Sequence, residues 1–149
     1  MATLTVKLQE DLFLNDQQYG SFNEFQISNI REAYKRLVSC INGHPTTIAT
    51  FDTKSRTSPN ALEIEQVQYI RLTNLHPTEK IEVAFVGETT LYQITLHPLQ
   101  SHVLGAADDL LLSEADTSPS FVTMTDIKSI VVQPVGSVST DVEIFVASL

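Results

Sequence analysis

The chain has 149 residues, 42% of them hydrophobic, a formal charge of −9 and one cysteine, Cys40. That length makes one ordinary domain, residues 1–149, with a core large enough to do without cross-links or a structural metal. A single cysteine excludes a disulfide framework and a thiolate cluster, and no apolar run approaches the ~20 residues a membrane-spanning helix needs.

Leu4, Val6 and Leu8 alternate with polar neighbours and predict a first strand. The opening MATLTVKLQED has neither the basic nor the apolar region of a signal peptide, so synthesis in a cytoplasm is expected. Asn15-Asp16, followed by Gly20-Ser21, supplies turn chemistry, and Phe22, Phe25 and Ile27 lead into a second strand. From Asn29 two readings are open. Ile30, Tyr34, Leu37 and Ile41 share a helical face, with Asn29 and Glu32 spaced as a capping box. Residues 34–41 also read as a strand that ends at the turn dipeptide Asn42-Gly43. Cys40, between Val38 and Ile41, reads as a small core hydrophobe.

Residues 46–51 are β-branched and predict a strand, and 52–60 (DTKSRTSPN) an exposed loop. The stretch 69–104 reads as three consecutive antiparallel strands with tight connections. Ile70 and Leu72, then Ile81, Val83 and Phe85, then Tyr92, Ile94 and Leu96 mark the core-facing positions, with turns at Pro77 and Gly87-Glu88 and a stop at Pro98. Residues 105–120 are acidic and Ser/Ala-rich around Leu110, Leu111 and Leu112, either a loop anchored by leucines or one short helix. Two more strands close the chain, 127–133 and 142–146. The run Ile130, Val131, Val132 suits a central position; Val142, Ile144 and Val146 should face inward and Glu143 outward. About eight strands with short polar turns and at most one or two short helices predict an all-β fold, a two-sheet antiparallel sandwich or jelly roll.

Chemical signatures are sparse. His44, His76 and His97 sit beside proline, and His97 and His102 are not brought to one face by either a helical or a strand period. Asp108, Asp109, Glu114 and Asp116 lack the glycine-centred spacing of a calcium loop. There is no nucleophile elbow and no Gly-rich phosphate loop. From Gln100 onward seven acidic residues face Lys128 alone, which disfavours binding to a phosphate backbone. The expectation is therefore no catalytic, cofactor or metal site, no nucleic-acid or membrane partner, and a role in binding or assembly. Phe13, Tyr19, Phe22, Phe25 and Tyr34 concentrate aromatic residues in the first quarter, where they pack the sandwich or meet a neighbouring subunit.

Three segments, MATLTVKLQEDLFLND with Gly20-Ser21, YIRLTNLHPTEKIEVAF followed by TTLYQITLHPLQSHVLG, and IKSIVVQPVGSVSTDVEIFVAS, resemble small β-sheet virion proteins of tailed bacteriophages. The resemblance covers most of the chain but rests on strand and turn residues, not on a catalytic motif. It favours the strand reading of residues 31–41. The chain departs from the pattern at His97-Pro98-Leu99, where a Pro-Gly turn is usual. The resemblance implies a capsid decoration (cement) protein on the virion surface, bound to the major capsid protein or other virion proteins as a dimer or trimer. The alternatives are a neck or tail component, or a glycan-binding module. Phe22, Phe25 and Tyr34 are the expected assembly residues.

Overall fold

The computed structural model describes residues 1–53, 61–114 and 118–149. Its strands are β1 (Ala2–Gln9), β2 (Phe13–Leu14), β3 (Gln17–Gln18), β4 (Phe22–Ile30), β5 (Glu32–Cys40), β6 (Thr46–Asp52), β7 (Ala61–Glu63), β8 (Val67–Asn74), β9 (Ile81–Gly87), β10 (Leu91–Leu96), β11 (Ser101–Leu104), β12 (Ile127–Pro134) and β13 (Thr140–Ser148). The one helical element among the described residues is a 3₁₀ turn at Ile64–Gln66, so no helix there is long and apolar enough to cross a membrane. Most of the expected loop at 52–60 lies outside the described residues.

Two sheets carry the body, in the orders β10-β9-β12-β6-β7 and β11-β8-β13-β5. Every pairing is antiparallel except that of the short β7 beside β6. β5 pairs with β13 in one sheet and β6 with β12 in the other, while β9 and β10 form a hairpin and β8 and β11 pair across from it. These eight strands wind as a jelly roll, with β7 added at an edge. The expected sandwich is present, and its topology is the jelly-roll one.

Alternation fixes which side chains meet between the sheets. Ile70, Leu72, Val142, Ile144 and Val146 come from one sheet, and Ile48, Ile81, Val83, Phe85, Ile130 and Val132 from the other, all essentially without solvent contact. β12 is central, as its apolar triplet predicts, and Glu143 faces outward. Residues 32–40 are strand. β5 keeps register with β13 from Ser148 opposite Glu32 to Thr140 opposite Cys40, and Leu37 and Ile41 of the alternative helical face are exposed. The described part of 105–120 is a loop without helix, pinned by buried Ala107 and Leu111, the latter bridged to Thr125.

The central run is not a three-strand meander. It holds four strands, and only β9 and β10 form a hairpin within one sheet. The chain changes sheet at His76-Pro77 and again at His97-Pro98, where the connection turns a corner of the sandwich. Leu99 takes φ 62 in that second corner, the position a Pro-Gly turn gives to glycine. Both corners close on the wholly buried Asn74. Its Nδ2 group donates to the carbonyls of Glu79 (2.8 Å), Leu96 (3.3 Å) and His97 (3.2 Å), and its Oδ1 accepts from the His76 N–H (3.0 Å).

Candidate functional site

Residues 2–30 do not belong to either sheet of the body. They form one long antiparallel hairpin, the arm. Its register pairs Leu4 with Ile27 and runs without a shift to Gln9 with Phe22. Backbone bonds from Glu10 N–H to the Ser21 carbonyl and from Tyr19 N–H to the Leu12 carbonyl, each 2.8 Å, carry the ladder on to Phe13–Gln18 and Leu14–Gln17. Asn15 (φ 50) and Asp16 (φ 59) close it as a two-residue turn, which matches the right-handed strand twist and needs residues that tolerate positive φ. A Cβ on Gly20 would lie 1.9 Å from the Glu10 carbonyl oxygen, so the close approach of the strands requires glycine there. At the base one extra residue in β4 makes a bulge around Asn29 (φ 66), and after Arg31 the chain enters β5.

This register gives the arm two unlike faces. Leu4, Val6, Leu8, Leu12 and Leu14 share one face with Phe25, Ile27 and Tyr19; Lys7, Gln9 and Asp11 share the other with Glu24, Phe22 and Gly20. The base of the apolar face is docked. Leu4, Val6 and Ile27 pack with Ile30 against Tyr69, Phe145 and Ala147 on the outer face of the four-stranded sheet, where Tyr69 and Phe145 meet edge to face at 6.0 Å. Burying Ile30 and Tyr69 contributes roughly 1.5–3 kcal/mol each, enough to fix the base. Beyond the docked base, Leu8, Leu12, Leu14 and Tyr19 are between 52% and 59% exposed. The same face thus runs past the body into water, apolar at Leu8, Leu12, Leu14 and Tyr19 and interrupted by Glu10 and Ser21, which bond each other between them.

Where arm and sheet diverge they enclose a groove of about 530 Å³. Val6, Leu8 and Phe25 line the arm side; Arg71, Val103 and Phe145 line the sheet side. Arg71 is held by Glu143, which also pairs with Lys35 at 3.4 Å, and its guanidinium lies 5.8 Å from the Phe145 ring centre. The Arg71 Nε is buried and has no hydrogen-bond partner among the described residues.

The three expected assembly residues fall on three different surfaces. Phe25 is 42% exposed over the groove. Phe22 is 60% exposed on the opposite face of the arm. Tyr34 belongs to neither; it lies on β5 opposite Val146 of β13, packs against the core between the sheets, and accepts a 3.3 Å bond from Arg36. The structure therefore does not bring Tyr34 together with the phenylalanines. Leu12 and Leu14 carry no signal noted in the sequence, and Tyr19 stands there only as one of the clustered aromatic residues. A two-residue turn at Asn15-Asp16 would have revealed them, because it forces each residue to pair with the one whose number brings the sum to 31.

Groups able to do chemistry are dispersed. No three of the described His, Cys, Asp and Glu residues converge on a metal-sized site. His102 lies between the sheets at their open edge, 3.1 Å from the Tyr92 hydroxyl through Nε2, with Phe85 stacked on Tyr92 at 5.0 Å. Burial lowers the His102 pKa and raises that of Tyr92, as expected of a packed edge cluster without a charged partner. Burial also raises Tyr69, against a smaller lowering by Arg71. Cys40 is fully buried, and its thiol is pushed up by burial, with Asp141 adding to the shift and a bond with Thr46 opposing it. Two other depressions, beside Glu32 and Glu63 and beside Glu88, Asp109 and Asp126, are lined by carboxylates without histidine or cysteine. No protein-family model matches the chain, and no curated protein matches it.

Proposed function

We propose that the protein is a structural assembly protein that decorates a tailed-phage capsid, extending its arm across the shell to a neighbour. The observation that carries this reading is the arm itself, a ribbon anchored at its base whose leucine-bearing face extends beyond the body. Exposed large apolar residues gathered in this way mark an interaction site. The jelly roll supplies the scaffold and is common to viral shell proteins and lectins alike, so the fold by itself decides little. The sequence resemblance supplies the capsid. A glycan-binding module is less well supported, because the exposed aromatic residues Phe13, Tyr19, Phe22, Phe25 and Phe121 are spread over both faces of the arm and a separate loop and do not line one concave surface.

Electron microscopy of purified particles tests the reading. Decoration predicts density for this chain on the outer capsid lattice in many copies. A few copies confined to the neck or tail would replace capsid decoration with the neck or tail reading, and absence from the particle would end both. Arm-tip substitution, Leu12→Asp with Leu14→Asp, should leave the body folded and abolish particle binding.

A further inference from the structure

We infer that the tip of the arm docks in the groove beneath the arm of a second copy of this chain, and that the exchange is reciprocal about a two-fold axis. This deepens the assembly reading above by naming the neighbour.

Four observations select a second copy. The first is continuity. The face exposed at Leu12, Leu14 and Tyr19 is the same face that already packs on the sheet at Leu4, Val6 and Ile27, so the groove offers the tip the kind of surface its base prefers. The second is size. An apolar cavity of about 150 Å³ holds one benzene-sized group, so the groove of about 530 Å³ has room for roughly three large side chains. The tip presents three, Leu12, Leu14 and Tyr19. The arm runs about 23 Å from Leu8 to its turn at ~3.3 Å per residue, enough to bridge to an adjacent body.

The third is polarity. The tip carries Glu10, Asp11 and Asp16, and no lysine or arginine stands between Lys7 and Arg31. The groove is lined by Lys7 and Arg71, with no carboxylate among its lining residues. The fourth is area. Leu12, Leu14 and Tyr19 leave on the order of 300 Å² in water at the tip, short of the roughly 800 Å² per partner in a standard interface. Reciprocal exchange covers a tip and a groove on each copy and comes nearer that size than a one-way contact, which covers only one of them on each copy. A two-fold axis also closes the assembly, whereas one-way docking leaves a free arm and a free groove.

The test uses the purified full chain without particles. Sedimentation equilibrium should give twice the chain mass; a monomer or a trimer overturns the inference. Leu12→Asp with Leu14→Asp should weaken association at least ~100-fold with an unchanged circular dichroism spectrum, and a variant that stays dimeric overturns it. Contact is checked by mixing a Leu14→Cys protein with a Val103→Cys protein under mild oxidation. A disulfide-linked heterodimer is expected, Cys40 being buried; a dimer that yields none refutes tip-in-groove exchange. The two readings separate cleanly. Dimeric protein that fails to decorate capsids defeats decoration alone, and monomeric protein that decorates them defeats arm exchange alone.

Discussion

Asn74→Ala should be the most damaging single polar-to-apolar change in the body. Asn74 has no solvent contact, and it bonds both corners at which the chain changes sheet. Its Nδ2 has two protons shared among three carbonyls, and its Oδ1 takes a fourth partner, the His76 N–H, so about three full bonds are lost. At about 1 kcal/mol net per bond, with part of the cost coming from buried groups left unpaired, the loss is about 3 kcal/mol. For a domain of this size that lowers the melting temperature by roughly 6–12 °C. Urea titration gives the free energy directly, and the slope should not change, since the native surface is the same. Asn74→Asp keeps the Oδ1 acceptor but removes both donors and buries a charge, so it should be at least as harmful. A loss below about 1 kcal/mol for the alanine variant would falsify the view that Asn74 ties the corners together.

Other outcomes follow from single sites. Leu99 is exposed and holds φ 62, so Leu99→Gly should raise stability by about 0.5–1 kcal/mol, while Leu99→Val should lower it; equal midpoints for the three proteins would refute the strain. His102 has a pKa below its ordinary value because of burial, so the unfolded chain takes up its proton first. Its contribution to stability is complete above about pH 6.5 and is lost as pH falls from there through the lowered folded value. His102→Gln should therefore flatten the decline in urea midpoint as pH falls below about 6.5, and an unchanged decline would contradict this. Cys40, buried and with its pKa raised, should resist a thiol-disulfide reagent in the native protein and react fully in denaturant. Rapid native labelling would show that β5 opens.

The strands were legible because alternation of period two is a local property, and so were the inward sets Ile81–Val83–Phe85 and Val142–Ile144–Val146. Sheet membership was not local. Whether a turn returns the chain to the same sheet or carries it round a corner depends on what β8 and β9 pair with, and their partners β13 and β12 lie 68–81 and 40–53 residues away in sequence. The β11 strand, four residues long after Pro98, is too short to announce itself by pattern. Residues 31–41 were open between helix and strand for the same reason, and nine pairings with β13 decide them. For the candidate site, clustering of aromatic residues pointed to the right quarter of the chain but to a mixed set. Tyr34 lies beyond the bulge at Asn29 and Arg31, in the body, whereas the arm's exposed stripe is built largely of leucine.

The division of the arm into a docked base and a free tip also limits how it can act. If the whole apolar face were free, the hairpin would have no fixed direction, since a lone two-stranded ribbon is marginal in water. Packing on Tyr69, Phe145 and Ala147 gives it one. If the whole face were docked, nothing would remain to reach a neighbour. The energies favour two arms over one. About 300 Å² per tip at ~25 cal/mol per Å² is a gross gain of about 8 kcal/mol, within the 4–15 kcal/mol that association costs in lost freedom. One tip in one groove therefore holds two copies weakly at best. A second tip adds a similar gain without a second loss of translational and rotational freedom, which makes reciprocal exchange the arrangement in which this arm acts as an interface.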